Sequence, residues 1–413
     1  MAKNIVVIAT LDTKAEEAFY LCEKIRHRGH MPLILDIGIS GKAPLHDGIT
    51  RQDVAISAGS SLEEIIARSG GYTHALSWMA KGAANILKRL VEEKRLGGVV
   101  SIGGSLGTSQ ALKVMKELPF QIPKLAVSSV AFIGELITIE MVSADQVMMQ
   151  TVADLQGLNG VTKTILDRAA GAICGMVDAQ PQWGPTQGGR VGISVLGVHD
   201  YADQCKRILS ENGYEAVIFH SVGTGALEKL VRQHFFEGIL DLCCYELVNY
   251  VCGGPVRGGR DKFTAGIEAG IPQVISLGAI DFFPWPVAWP FLRKFKDRPT
   301  VSHADANLVK TTPYEQKKIA RLLAERLNKA KVATVVLVPL RGFSRLDRSP
   351  EMPFYDGAAG KRVYELLRRN IENALVELYP LDCHINDEVF AKEATERLLQ
   401  KLVNYKSKAG GGT

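Results

Sequence analysis

The stretch from Leu96 to Met115, LGGVVSIGGSLGTSQALKVM, constrains the fold more than any other. Gly98-Val99-Val100-Ser101-Ile102 is a short apolar run rich in β-branched residues and reads as a buried strand. Gly103-Gly104-Ser105-Leu106-Gly107-Thr108 follows with no spacer, and Ala111, Leu112 and Met115 then begin a helical pattern. At such a junction, free backbone N–H groups and the positive end of the helix dipole favour an anion, often a phosphate. Glycine lets the main chain approach that anion closely and take positive φ. Thr108 or Ser105 would cap the helix or bind a phosphate oxygen. A plain tight βα turn without a ligand fits the same residues. The stretch is neither a Walker A loop, since no GK[ST] follows, nor a full GxGxxG fingerprint.

The same alternation runs along the chain. Asn4–Thr10 reads as a strand, Ala15–Arg28 as a helix with Ala18, Leu21, Cys22 and Ile25 on one face, and Met31–Ile37 as a second strand. Short helical pieces in Arg51–Ala67 and a long amphipathic helix over Thr73–Lys94 lead into the central strand. Pro123–Ser129 is a further strand, Gly134–Thr151 is mixed, and Gly157–Ala179 is an Ala- and Gly-rich helix. Gln180–Arg190, QPQWGPTQGGR, has the composition of a linker. The alternation restarts at Val191, with strands at Val191–Gly197, Ala216–His220, Gly238–Leu242, Gln273–Leu277, Ala333–Pro339 and Leu375–Tyr379. Ala279–Arg298 reads as an irregular aromatic insertion, Asp387–Tyr405 as the last helix, and Lys406–Thr413 as a disordered tail. The expected class is α/β: two Rossmann-like open parallel-sheet domains, residues 1–180 and 190–405, with a cleft between them.

Composition narrows the function. Hydrophobic residues make up 46% and charged residues 23% of 413, as in an ordinary globular protein with real cores. The net charge of +5 is spread without a Lys/Arg block, which argues against nucleic acid as a partner. No apolar run reaches membrane-spanning length, and Met1-Ala2-Lys3-Asn4 enters a strand directly, so neither a membrane partner nor a signal peptide is expected. The seven cysteines form no CxxC and are expected to be reduced core thiols of a cytoplasmic protein. HExxH is absent as well, which leaves the familiar zinc class without support.

Ligands of open α/β sheets bind beyond the carboxyl ends of strands, so those loops are the ones to search. In the first domain they are Thr10-Leu11-Asp12-Thr13-Lys14, Gly103–Thr108 and Ser128-Ser129. Lys14 would pair with a phosphate and Asp12 would hold a metal or a ribose hydroxyl, unless Asp12 or Thr13 simply caps the next helix. In the second domain they are Ser221–Gly225, Glu246, the Gly253-Gly254 loop with Arg257 and Arg260, the His303 cluster, Arg341 and His384. Arg341 directly follows a strand, where an anion clamp is well placed. His384 suits a general base or a metal ligand, or else is a hydrogen-bonded turn residue beside a cap at Asn386 or Asp387.

With those loops in view, the chain resembles a bacterial family related to the N-terminal ATP-binding region of the tomato mosaic virus resistance protein. The resemblance is carried by IATLDTK (Ile8–Lys14), GVVSIGGSLGTS (Gly98–Ser109), IPKLAVSS (Ile122–Ser129) and VADLQGLN (Val152–Asn159). It continues through FHSVGTGA (Phe219–Ala226), Leu240-Asp241 with Glu246, GAIDF (Gly278–Phe282), KTTPYE (Lys310–Glu315), PLRGFSRLD (Pro339–Asp347), FYDGAA (Phe354–Ala359) and HINDEVFA (His384–Ala391). It implies two Rossmann-like subdomains, a nucleotide site in the first, and self-association, expected here as a dimer. It also implies a phosphoenolpyruvate-mutase-like barrel partner. Two departures stand at the implied nucleotide site: Leu106 where the family usually has glycine, and Val130-Ala131-Phe132-Ile133 in place of a small polar turn. Either the ligand differs or Leu106 turns into the core.

Three functional expectations follow. In the first, the chain binds ATP with Mg2+ as its companion ion, or another phosphorylated or carboxylated small molecule, and serves small-molecule catabolism. Thr10, Asp12, Thr13, Lys14, Gly103, Gly104, Ser105, Gly107, Thr108 and Ser128 would line that site. In the second, it is a hydrolase or lyase acting on a small acidic substrate without ATP, with Glu246, His303 and His384 as acid–base groups and Arg341 as anion clamp. In the third, it is a binding or inhibitory module without turnover. On this reading Gly104→Val removes anion binding and spares the fold, while His384→Gln removes activity at little cost in stability.

Overall fold

The β-branched runs after Asn4 and Gly98 become neighbouring parallel strands, Ile5 paired with Gly98 and Ile8 with Ser101. A computed structural model of the chain describes residues 2–44, 47–68, 71–133, 137, 141, 142, 144–179 and 187–410. The chain divides into two compact units, Met1–Trp183 and Gly184–Thr413.

The first unit runs β1 (Asn4–Ala9), α1 (Ala15–His27), β2 (Met31–Asp36), α2 (Arg51–Ser57), α3 (Leu62–Arg68), α4 (Tyr72–Glu92), β3 (Gly98–Gly103), α5 (Ser105–Lys116), β4 (Lys124–Ser128), β5 (Val147–Gln150) and α6 (Gly160–Asp178). Its five strands are all parallel, in the order β2-β1-β3-β4-β5. Alternate residues of each strand serve opposite faces. Val6 and Ile8 enter a core with Ala83 and Leu87 of α4 and Leu112 of α5. Ile5 and Val7 pack instead with Leu21 of α1 and Ile173 of α6. Both faces are therefore covered by helices, as a buried parallel sheet requires.

The second unit runs β6 (Gly189–Val195), α7 (Tyr201–Glu211), β7 (Tyr214–His220), α8 (Ala226–Arg232), β8 (Gly238–Cys243), α9 (Tyr245–Cys252), α10 (Ala265–Ala269) and β9 (Gln273–Gly278). It continues through β10 (Phe282–Pro286), β11 (Thr300–His303), β12 (Ala306–Lys310), α11 (Pro313–Leu327), β13 (Thr334–Pro339), α12 (Ala359–Asn370), β14 (Val376–Leu381) and α13 (Glu388–Gly410). Six strands form one parallel sheet in the order β14-β13-β9-β8-β6-β7, which repeats the order of the first unit with one strand more. Ile275 and Val336 face α11, and Val274 and Val335 face α13. Both units are thus Rossmann-like in the broad sense of an open, doubly wound parallel sheet. In each, the chain leaves its first strand to one side and returns on the other, so the switch points lie between β1 and β3 and between β6 and β8.

Several expectations change. Part of the segment read as mixed is an edge strand, β5. The aromatic insertion is ordered: β10 opens a three-stranded antiparallel sheet, β10-β12-β11. The last helix runs to Gly410, and Lys406 Nζ donates to the Gly188 carbonyl at 2.8 Å, so Lys406–Gly410 is not a disordered tail. Strand β6 begins at Gly189, inside the expected linker, whose residues 180–186 lie outside the described residues, as do residues 411–413.

Candidate functional site

In the first unit, α5 starts at Ser105, three residues past the end of the Gly98–Ile102 run, with Gly104 as its N-cap. Its first intrahelical bond goes from Thr108 N to Gly104 O, at 2.9 Å. The N–H groups of Ser105, Leu106 and Gly107 therefore have no helical acceptor. Beside them is a hollow of ≈ 450 Å³ at the carboxyl ends of β3, β4 and β5. Gly104, Ser105, Ser129, Gln150, Thr151 and Asp154 contribute to its wall. The Gln150 side-chain amide donates to Ser129 O at 2.8 Å and ties the β4 and β5 ends together.

The glycines act here through space and not through positive φ. Gly104 is extended, with φ −83° and ψ −160°. A Cβ on it would meet only Ser129 Oγ, at 3.9 Å, so the position opens toward the hollow. A Cβ on Gly103 would lie 3.2 Å from Thr108 N, so a small residue there lets the helix start against the strand end. Gly107 has no neighbour within 4 Å of an added Cβ. Thr108 and Ser128 are buried, and the Thr108 hydroxyl donates to Ser128 Oγ at 2.7 Å. Both hydroxyls hold the turn together and do not line the hollow, contrary to their expected role. Leu106 does not turn into the core; it is 41% exposed, and Phe132 is 72% exposed.

The β1 loop starts from the strand next to β3. Asp12 caps no helix: its Oδ2 accepts from Ser40 N at 3.0 Å and from Ser40 Oγ at 2.9 Å. The N-cap of α1 is Lys14, which makes no side-chain cap bond. Thr10 and Thr13 share a hydroxyl contact of 3.0 Å. Behind this loop is a pair that the sequence reading missed. Buried Asp36 accepts from Leu11 N (3.0 Å), Gly38 N (2.8 Å) and Arg51 Nε (2.8 Å), fixing both strand-end loops. Only the position of Asp36 at a strand terminus hinted at this.

In the second unit, Glu246 lies in the first turn of α9, just past β8 at the switch point. It is buried beside Lys262, whose Nζ is 2.9 Å from Asp241 Oδ1, 3.4 Å from Glu246 Oε2 and 3.7 Å from Glu228 Oε1. Burial pushes Glu228 up to about 7, with Lys262 opposing and the neighbouring carboxylates adding to the rise. Burial likewise raises Glu246 against the pull of Lys262. Burial works against the Lys262 ammonium, yet Asp241, Glu246 and Glu228 hold it well above its ordinary value. Two glycine loops close over the cluster. A Cβ on Gly223, at φ +86°, would lie 2.6 Å from Arg257 O, so the loops pack backbone to backbone. Gly258 in turn stands against Glu246, an added Cβ there coming within 3.8 Å of Glu246 Cγ. Glu228 and Lys262 were not among the expected site residues, and nothing in their local sequence marks them.

The remaining candidates do not join this cluster. His384 is buried, and its Nδ1 accepts from Asn386 N at 3.1 Å. Nε2 therefore carries the proton and donates to Ser344 O at 3.0 Å, with Asp347 Oδ1 at 3.2 Å. A Cβ on Gly342 would meet His384 Cδ2 at 2.6 Å. This imidazole clamps the β14–α13 turn to the loop after β13, in contrast to the expected acid–base role. His303 is exposed at the end of β11, and no ion pair among the described residues joins it to Glu246. Arg341 is spent on a surface carboxylate, with Nε and Nη2 each 2.8 Å from Asp382. All seven cysteines are buried and unpaired. Among the described residues there is no group of three or more His, Cys, Asp or Glu placed to hold a metal, and no helix long and apolar enough to cross a membrane.

Comparison with known proteins adds the family. The N-terminal domain of the uncharacterised protein family UPF0261 matches residues 3–182, and its C-terminal domain matches residues 189–402. A UPF0261 protein of Clostridium tetani is 34% identical, covering 97% of this chain and 100% of that protein. A UPF0261 protein of Brucella suis is 31% identical over 95% of this chain and 94% of its own length. The ToMV resistance protein Tm-1(GCR237) of Solanum lycopersicum is 31% identical over 96% of this chain, which spans 55% of that longer protein. The chain belongs to the UPF0261 family, the group its motifs resemble.

Proposed function

We propose that the N-terminal unit binds a phosphorylated ligand, in the first place ATP with Mg2+. The context is small-molecule catabolism beside a phosphoenolpyruvate-mutase-like barrel protein, with the chain acting as a dimer. The supporting observation is the hollow at the β3–β5 strand ends, because it gathers a helix N-terminus, two serine hydroxyls and a glycine that leaves the space open. A phosphate would take the free N–H groups of the first turn and the hydroxyls of Ser105 and Ser129. Asp154, on the same wall, supplies the hard oxygen that Mg2+ requires. The catabolic context, the barrel partner and the dimer rest on the family resemblance. Isothermal titration with ATP, ADP and pyrophosphate, each with and without Mg2+, tests the reading. Heat with ATP that disappears in Gly104→Val supports it; flat titrations in every combination dismiss it.

The Lys262 cluster favours a second reading, acid–base chemistry on a small acidic substrate in the C-terminal unit. A carboxyl held at about 7 both donates and accepts a proton at neutral pH. The space over the cluster is ≈ 10 Å³, room for about one water, so substrate would meet the rim residues Ser221, Thr224 and Gly225. A screen of keto and hydroxy acids with wild type, Glu228→Gln and Glu246→Gln tests it. Turnover that survives both Glu228→Gln and Glu246→Gln unchanged removes the cluster from the chemistry.

A further inference from the structure

The segment after β10 stays outside every core. Val287, Ala288, Trp289, Pro290, Phe291 and Leu292 are consecutive, apolar and exposed. Val287 keeps 61%, Trp289 40%, Phe291 44% and Leu292 38% of its surface in solvent. This is not slack chain. Val287 N donates to Asp305 O at 2.9 Å and Trp289 N to Pro286 O at 3.0 Å. The Trp289 ring stands edge-on to buried Trp285 at 5.1 Å between centroids, and Phe291 leans on buried Phe295 at 6.0 Å. Buried rings thus hold the exposed ones outward. Arg293, Lys294 and Lys296 follow at once, all exposed, and form no ion pair among the described residues. Asp297 is the only acid from Val287 to Arg298.

We propose that this tip, residues 287–296, docks the C-terminal unit on an anionic lipid surface. Three observations select that occupant. The patch is small: with an aromatic side chain at about 200 Å², its exposed apolar groups offer roughly 350 Å². A stable protein interface takes about 800 Å² from each partner. Its charge is one-sided, so a symmetric second copy would set Arg293, Lys294 and Lys296 against their own images. Its chemistry is that of an interface dweller. An amphipathic indole suits the headgroup level, Phe and Leu suit the acyl boundary below it, and the flanking cations suit acidic headgroups. The contact is peripheral and spans nothing. Whole-chain composition hides it, because a short tip hardly moves a mean hydropathy of +0.04.

The test is co-sedimentation of the full chain with vesicles of phosphatidylcholine alone and of phosphatidylcholine mixed equally with phosphatidylglycerol. Binding should favour the anionic vesicles by about tenfold or more and fall as salt is raised. Replacing Arg293, Lys294 and Lys296 together with Gln should weaken it about a hundredfold, at about 1 kcal/mol for each cation. Trp289→Ser with Phe291→Ser should abolish it while circular dichroism and melting stay as in wild type. No binding at low salt overturns the proposal, as does equal binding by the Trp289/Phe291 variant. If sedimentation equilibrium instead shows the two serines converting an oligomer to a monomer, with vesicle binding absent, the face belongs to a second copy and the lipid assignment falls.

Discussion

Replacing Lys262 with Met keeps most of the side-chain volume and removes one charge, which makes it a clean probe of the buried cluster. The ammonium is within 3.7 Å of three carboxylates, all of them buried. Removing one partner of a buried ion pair typically costs 3–5 kcal/mol, because the other charge is left without compensation. We expect about 4 kcal/mol at pH 8. In a unit of this size each kcal/mol moves Tm by about 2–4 °C, so its transition should fall by roughly 8–16 °C. The loss should depend on pH, with a definite sign. Burial lifts Glu228 from 4.5 to about 7 in the fold. The folded state therefore holds more protons than the unfolded chain between those values, and its stability falls as pH rises through them. Without Lys262, Glu228 loses its lowering influence, and the window extends upward. At pH 5 Glu228 is largely protonated and needs the ammonium less, so the loss should shrink below about 2 kcal/mol. Calorimetry and urea unfolding at both pH values read this, and adding Glu228→Gln to Lys262→Met should recover part of the loss at pH 8. A Tm drop under about 3 °C at pH 8, or equal losses at both pH values, would refute the assignment of a charged cluster.

Other outcomes follow from single residues. Gly104→Val should leave the melting curve within about 1 kcal/mol of wild type, since Gly104 is already extended and an added Cβ meets nothing closer than 3.9 Å, while titration with ATP and Mg2+ shows no heat. Gly223→Ala should destabilise the C-terminal unit by more than about 2 kcal/mol in urea, because positive φ and a contact of 2.6 Å with Arg257 O act together. His384→Gln should cost about 2–3 kcal/mol, far more than a free turn residue would, since both ring nitrogens are engaged in a buried site; a Tm within a degree of wild type would return it to the functional candidates. Burial lowers His199 from 6.5 to about 4, so its contribution to stability should be lost as pH falls from about 6.5 toward 4. That slope opposes the Glu228 slope, and the pH profile of Glu228→Gln should expose it.

The α/β alternation was legible because apolar strands and amphipathic helices differ in period, and each unit of this chain repeats that contrast. The misses have physical causes. Strand β5 is short and at the sheet edge, with its end residues exposed, so it lacks the apolar run that marks a central strand. Helix α9 buries Tyr245, Glu246, Leu247, Val248 and Asn249 in succession, which erases the helical period. In β10, Pro284 and Pro286 argue against a strand; they are tolerated because β10 is an edge of its sheet, paired to β12 alone.

Sites were less legible than strands, because a sequence shows which loops leave the carboxyl edge but not which way a side chain turns. His384 met the positional rule and turned inward, where Asn386 N and Ser344 O occupy both nitrogens. Glu246 met the same rule and turned toward Lys262, which reaches it from beyond a glycine loop. No local pattern foretells that meeting, because it depends on Gly223 letting one loop lie on the backbone of the other. The glycine turn of the first unit shows the converse. It stands at the strand–helix junction, and of the two properties expected of its glycines Gly104 supplies open space and not a positive φ. Leu106 directly follows Ser105, and Phe132 is two residues past Val130, which lines the hollow. Both are exposed, so their bulk adds nothing to the core, and neither belongs to the wall of the hollow.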